Sequence, residues 1–551
     1  MLDLADFVEA FPEVVAVAGY DIVWETKNLT CVTHDIIVNA VITPTVYGIT
    51  YVLDGGTNPD GAPSRYTIKT KTFTPPVPTK EGYTFDGWYT ENTFVNQVEQ
   101  ISQGSIGNVT LYAKWQQKST EGLKYEQLQD GNYAVSGYDG DSDEVWIPSD
   151  WNGQPVTAIG DRAFENCRIL TRVTIRSSVT SIGKYAFNNC SGLTNVAISN
   201  SVTIIGEEAF RNCGGLTSVT IPDSVTSISK GAFSGCIGLT SVTIGNSVNY
   251  VGPNAFIRCD SLVYNKFDNA YYLGNATNKY VVLVEAVSTN ITSCTINDNC
   301  KVVAQLAFSG CSGLTSIVVK EGNSKYIVKN NCLIDTSTAT LVLGCQTSVI
   351  PNDGSIKGIG GYAFSGCIGL TNVTVPDSVI SIGEDAFSGC SGLVSVTIGK
   401  EVASIGSYAF SGCRGLTSVE IPDGVTSIGL FAFSDCSGLT SVIISDSVTS
   451  IGDFAFSVCS GLINVTIGSG VTHIGEYAFG YCRVEEVFYK GTAEQWVQIS
   501  TESGNTTLTS ATRYYYSDTQ PDLNADGTAY NGNYWHYDTD GTTIVIWKKG
   551  N

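Results

Sequence analysis

Apolar and polar positions recur along this chain in a unit of fixed length. From Ala432 to Phe454 the unit reads AFSDCSGLTSVIISDSVTSIGDF. The Phe of its Ala-Phe pair falls at Phe164, Phe187, Phe210, Phe233 and Phe256, then Phe308, then Phe364, Phe387, Phe410, Phe433, Phe456 and Phe479. Nine of the eleven intervals are 23 residues; the other two are 52 and 56. A fixed period of roughly 20–29 residues with an L-x-x-V-x-I core predicts a solenoid. Within the unit, Leu439, Val442 and Ile444 alternate with polar residues, as in a short strand with one buried face. Ser445-Asp446-Ser447 is turn material, and Pro222, Pro376 and Pro422 open the same turn in other units. Val448 and Ile451 form a second apolar pair, and Gly452 permits a bend. Ala432, Phe433 and Cys436 are predicted to close the coil in a short helical turn. One coil alone buries too little to offset its ordering, so neighbours must stack. They should rise by about 4.8 Å per coil.

Each unit carries a Cys three residues after its Phe: Cys167, Cys190, Cys213, Cys236, Cys259, Cys311, Cys367, Cys390, Cys413, Cys436, Cys459 and Cys482, twelve of the chain's 17. Metal ligands, disulfides and a structural ladder of buried thiols are the three readings. In-register side chains keep Cβ atoms about 4.8 Å apart, whereas a disulfide needs about 3.8 Å. The chain has no C-x-x-C pair to suggest zinc. The ladder is therefore preferred, each thiol a weak donor to a turn carbonyl.

The repeated string IPDSVTSIxxxAFSGCxGLTSVTI resembles the BspA-type (Treponema pallidum-type) leucine-rich repeat over about residues 125–482. The resemblance implies a bacterial surface or secreted protein, often one that adheres to host proteins or to other cells. Upstream, ITYVLDGGTNP (Ile49–Pro59), PTKEGYTFDGWYT (Pro78–Thr90) and VTLYAKW (Val109–Trp115) resemble the Listeria–Bacteroides (internalin B-type) repeat. That family implies a small β-grasp-like module. Trp88 and Trp115 are its core candidates, with surface binding by them as the alternative.

The predicted fold class is mainly β: a leucine-rich-repeat solenoid of short parallel strands with short helical turns, preceded by a β-grasp-like module. The expected organisation is a partial upstream repeat (1–43), the Listeria–Bacteroides module (44–115), a polar linker (116–124), the solenoid (125–482) and an aromatic-rich C-terminal cap (483–551). The long intervals predict hairpin insertions at 271–284 and 326–343. Cys294, Cys300, Cys332 and Cys345 lie here, outside the ladder, and a disulfide among them stays open. Ala493–Ile499 reads as a short helix.

The net charge is −22, from 30 basic and 52 acidic residues. It argues against a nucleic-acid partner and against an anionic membrane surface. No run of 18 apolar residues occurs, so no spanning helix is predicted. The first twenty residues lack the pattern of a signal peptide. An array of modules that starts mid-unit points to sequence lost upstream, and with it the signal and anchor.

Little in the chain suggests chemistry. His34, His473 and His536 fall in three separate modules, so no catalytic set assembles, and no cofactor is predicted. Asp522, Asn524 and Asp526 match the start of a calcium loop, but its twelfth position is Asn533 rather than Glu; a solvated turn is the preferred reading. The outward strand positions are nearly uniform: Thr217, Ser218, Thr220; Thr240, Ser241, Thr243; Thr371, Asn372, Thr374; Thr417, Ser418, Glu420. A tuned protein-binding face would carry varied aromatic and Arg anchors. A second column, just before each Ala-Phe, varies more: Tyr185, Tyr362, Tyr408, Phe431, Phe454 and Tyr477. The last four lie in consecutive coils and should form a stripe. Either each ring half-covers the apolar turn beside it, or the stripe contacts a ligand.

These observations predict a non-catalytic, monomeric surface or secreted protein that binds a host or neighbouring-cell protein or glycan. Two alternatives stay open: a structural stalk or surface-layer element without a specific ligand, and the non-catalytic part of an enzyme truncated upstream.

Overall fold

The computed structural model describes residues 16–25, 39–117 and 119–548. The chain divides into two compact units: a smaller one built mainly from residues up to 122, and a larger one holding most of the remainder.

In the smaller unit, strand Tyr20–Trp24 pairs antiparallel with Ala40–Pro44. The rest of the expected partial repeat at 1–43, with His34, lies outside the described residues. The following module is a five-stranded sheet. Its long strands Tyr47–Val52 and Val109–Gln117 run parallel, with Tyr83–Tyr89 antiparallel on the far side of Val109–Gln117. Trp88 is buried against Tyr51 and Phe85 and donates from Nε1 to the Pro76 carbonyl, 2.9 Å away. Half-buried Trp115 donates likewise to the Leu53 carbonyl at 3.0 Å. The parallel pairing suits a β-grasp layout, but among the described residues no helix packs on this sheet.

In the larger unit each coil contributes one rung to each of two parallel ladders. Ser218–Ile221 pairs with Ser241–Ile244, and Ser418–Ile421 with Ser441–Ile444, each residue opposite the one 23 positions on. The two-residue strands Ser404–Ile405, Ser427–Ile428 and Ser450–Ile451 form the second ladder. Identical spacing brings identical residues into register, so the apolar positions of every coil reach one interior. The Phe rings stack there face to face. Centroids are 5.0–5.5 Å apart from Phe164 to Phe256 and 4.9–5.3 Å from Phe364 to Phe479. Phe308, in the coil between the two long intervals, stacks on neither run among the described residues.

At the corner predicted as a helical turn, no α-helix forms. Backbone bonds there alternate between a turn inside the coil (Cys413 N–H to the Phe410 carbonyl, 3.2 Å) and a bond to the next coil (Phe410 N–H to the Ala432 carbonyl, 2.7 Å). Pointing alternate N–H groups along the stack requires alternate left-handed residues. They occur two positions before each Phe and two after it, as at Phe431 (φ 55°) and Asp435 (φ 57°).

Both insertions are larger than single hairpins. The first is a meander of Asn265–Phe267, Ala270–Leu273 and Val282–Ala286; the second joins Tyr326–Lys329, Cys332–Asp335 and Thr340–Leu343. The ladder also runs on past Cys482. Asn464–Ile467 is followed in parallel by Glu486–Tyr489, Thr512–Tyr516 and Tyr534–Tyr537, and Ile544–Ile546 turns back antiparallel. Buried Trp535 seals this end, donating from Nε1 to the Tyr489 carbonyl at 3.2 Å. The expected helix forms at Ala493–Trp496, held by a capping box between Thr492 and Gln495.

Candidate functional site

Most conspicuous side chains of the larger unit are occupied within the fold. Cys190, Cys213, Cys236 and Cys259 donate from Sγ to the carbonyls of Phe164, Phe187, Phe210 and Phe233 at 3.0–3.2 Å. Cys390, Cys413, Cys436, Cys459 and Cys482 do the same to Phe364, Phe387, Phe410, Phe433 and Phe456. Burial pushes the Cys190 and Cys259 thiols up to about 12 and Cys213 and Cys413 well above the ordinary value. Cys167, Cys311 and Cys367, where a run begins or breaks, lack that Phe carbonyl partner. Cys294, Cys300, Cys332 and Cys345 are free and buried.

The uniform Thr columns have a structural explanation. Thr240 and Thr440 hydroxyls donate to the Thr217 and Thr417 carbonyls of the preceding coil at 2.9 and 3.0 Å. Beside the second ladder, Thr203, Thr226, Thr449 and Thr472 repeat the bond at 3.1–3.2 Å. Only Thr carries both the β-branched stem that suits a strand and the hydroxyl that bridges coils.

In the calcium-like segment, Asn524 Oδ1 accepts from the Thr528 and Ala529 N–H groups at 2.9 and 3.0 Å. Asp526 Oδ1 accepts from the Thr528 N–H and hydroxyl at 3.0 and 2.5 Å. These oxygens close a turn, and Asp522 is exposed beside it. Half-buried His473 sits in the second ladder, while His536 lies against Trp547, ring centroids 4.2 Å apart. The two histidines do not meet.

The aromatic column separates into three parts. Tyr185 stands alone between polar coils, with the Arg162 guanidinium 4.6 Å and the Lys184 ammonium 5.2 Å from its ring centre. Tyr362 is cut off from the next ring by Asp385, the residue of that column in the intervening coil. Tyr408, Phe431, Phe454 and Tyr477 form a continuous half-buried stack with centroids 4.9, 4.6 and 5.4 Å apart. Tyr481 extends it, 6.0 Å beyond Tyr477 and 71% exposed. The sequence pattern missed Tyr481 because it belongs to the column two residues after the Phe, which elsewhere holds Asn, Gly, Asp, Arg258 and Val458 and no other aromatic.

Every ring of this stripe stands on left-handed backbone, with φ of 56°, 55°, 54°, 49° and 58° in chain order. The Cβ of an L-residue makes that conformation unfavourable by roughly 1–2 kcal/mol, and bulky residues seldom adopt it. The same column elsewhere holds Arg162, Glu208, Gly231, Asn254, Leu306 and Asp385 with similar φ, so this backbone is built into every coil whatever residue occupies it. Ring stacking returns roughly 0.5–1.5 kcal/mol per pair beyond the burial of the rings.

The stacked two-ladder coils define a leucine-rich-repeat β-solenoid. Residues 153–280, 286–354 and 357–486 match, in six copies, the model of the BspA type leucine rich repeat region. These segments span more than half of the chain, which belongs to that family. Residues 47–114 match the Listeria-Bacteroides repeat domain. Among solved structures, a leucine rich cell surface protein of Faecalibacterium prausnitzii is 28% identical, covering 70% of this chain and 98% of its own, with a TM-score of 0.36. The pneumococcal vaccine antigen PcpA is 18% identical, covering 70% and 96%, TM-score 0.35. A leucine rich repeat protein of T. pallidum is 20% identical, covering 54% and 91%, TM-score 0.24. A curated Gly-rich protein of Evansella cellulosilytica is 31% identical over 93 residues, 17% of this chain and 10% of its own length. The chain thus spans about a tenth of that relative. Among the described residues no helix is long and apolar enough to cross a membrane.

Proposed function

We propose that this protein is a non-catalytic adhesin of a bacterial surface. The smaller unit (44–115) is a spacer, joined by 116–124 to the solenoid (125–482) and its cap (483–551). The ligand is a protein or glycan of a host or neighbouring cell, met by the stripe Tyr408, Phe431, Phe454, Tyr477 and Tyr481. One observation carries the reading: five rings stacked in one continuous stripe and kept partly open to solvent. Contiguous exposed aromatic surface of this kind is typical of contact sites. Surface location and a non-catalytic role are supported by membership of the BspA-type family.

The test is binding of the purified chain to an array of matrix proteins and glycans, beside a variant with Tyr408, Phe431, Phe454 and Tyr477 all replaced by Ser. Saturable binding that the variant loses supports the proposal. Binding that survives moves the contact to the insertions or the cap. Absence of any binding favours the second reading, a stalk without a specific ligand. The Thr hydroxyls bonded between coils favour that reading, because they turn one outward column of the strand face to internal bonding.

A further inference from the structure

The break in the Phe stack leaves a cavity. At the middle coil, between Phe256 and Phe364, a cleft of about 210 Å³ is lined by Asn249, Tyr250, Gln305, Phe308, Thr340 and Tyr362 among others. We propose that this cleft binds one pyranose ring of a neutral glycan. The site is separate from the stripe, and the inference does not rest on it.

Size comes first. The volume lies below the roughly 300 Å³ at which pockets for drug-sized ligands begin, so it suits a single ring. Its lining then selects the chemistry. Tyr250, Tyr362 and Phe308 offer faces for the C–H side of a sugar, and Asn249, Gln305 and Thr340 offer neutral donors and acceptors for hydroxyls. Acidic Glu384 and Asp385 act on Tyr362, and Glu384 on Tyr250; their charge disfavours an anionic occupant.

The groups at the mouth are already held in place. Tyr250, 41% exposed, donates its hydroxyl to Gln305 Oε1 at 2.9 Å. Tyr362 is fixed through its backbone, whose N–H donates to the Glu384 carbonyl at 2.9 Å. Gln305 is anchored by its own N–H to the Val251 carbonyl at 3.0 Å. Its Nε2 lies 3.0 Å from where a Cβ on Gly361 would stand, so the amide lies close over the Gly361 backbone. Groups locked by a second partner before the ligand arrives lower the ordering cost of binding.

The test is saturation-transfer NMR of the full chain with D-glucose, D-galactose, D-mannose and N-acetyl-D-glucosamine in turn. We expect transfer to one of them. Tyr250→Ala and Gln305→Ala should each weaken it about tenfold, with circular dichroism unchanged. Ser309→Trp, on the exposed rim, should block it without touching the interior. The four-fold Ser variant of the stripe should leave it intact, which separates failure of this site from failure of the adhesin reading. No transfer with any of the four sugars, or transfer that persists in the Ser309→Trp and Gln305→Ala variants, would overturn the proposal.

Discussion

At the scale of single residues, the Cys ladder links stability to pH. Burial holds the Cys190, Cys213, Cys259 and Cys413 thiols protonated; Cys190 and Cys259 are pushed up to about 12 from an ordinary value near 9.0. Below pH 9 the thiol is neutral in both folded and unfolded chains, and its contribution is fully present. Between 9 and 12 only the unfolded chain ionises, so it binds fewer protons and stability falls as pH rises. The loss is about 1.4 kcal/mol per pH unit per thiol. Cys190→Ala removes the Sγ–H donor but leaves the Phe164 carbonyl its bond from the Cys167 N–H at 3.1 Å. We expect a cost of about 1–2 kcal/mol near pH 8, shrinking towards zero and then reversing above pH 9. Urea titrations of both proteins across this range check it. A constant difference would show that the thiol is not buried as described.

At the scale of the coil, two aromatic positions two residues apart have opposite roles. Phe433 is fully buried in the interior stack, whereas Phe431 is half-buried on left-handed backbone. Phe433→Ala should destabilise by roughly 3–5 kcal/mol, the usual effect of truncating a core Phe. Phe431→Gly loses ring contacts but relieves the backbone, and should stay within about 1 kcal/mol of the parent. Thermal melts of both variants decide the matter. Equal losses would make the stripe part of the core and remove its functional reading. This contrast also marks how far sequence alone reaches. The period of 23 residues makes the interior legible, because burial repeats wherever Leu, Val, Ile and Phe repeat. It says nothing of φ, so it places Phe431 and Tyr477 in a column without showing that the column is strained. Tyr326–Lys329 lies within the expected 326–343 segment, where the extra turn at Asn330-Asn331 makes three strands of the two expected. Asn265–Phe267 falls outside the expected 271–284 hairpin because it is set by its pairing partner rather than by a period. The rungs Glu486–Tyr489 and Thr512–Tyr516 were hidden for the same reason: they join the ladder through backbone bonds and carry none of the repeat's markers. The cleft was invisible because it exists only where the repeat fails.

At the scale of the larger unit, the interrupted Phe stack divides the solenoid energetically. In a linear array, stability is approximately a sum of coil terms and nearest-neighbour interfaces, and a weak interface separates the array into blocks. The coils from 163 to 256 share one ring stack and those from 363 to 482 share another. Between them the interior holds the unstacked Phe308 and a cavity of about 210 Å³. Ring contacts that continue through each Phe stack are missing here, so the interface between the two blocks is weaker than those within them. Native-state hydrogen exchange in increasing urea should therefore show two sets of amides with separate opening energies, one per Phe stack, and residues 293–345 should exchange with the weaker set. Filling the gap should merge them: a ligand seated in the cleft would raise protection in both blocks and bring their openings closer together. A single opening energy across 163–482 in the free protein would show that the backbone ladders alone carry cooperativity through the break. In that case the two ring stacks would be one folding unit despite the gap.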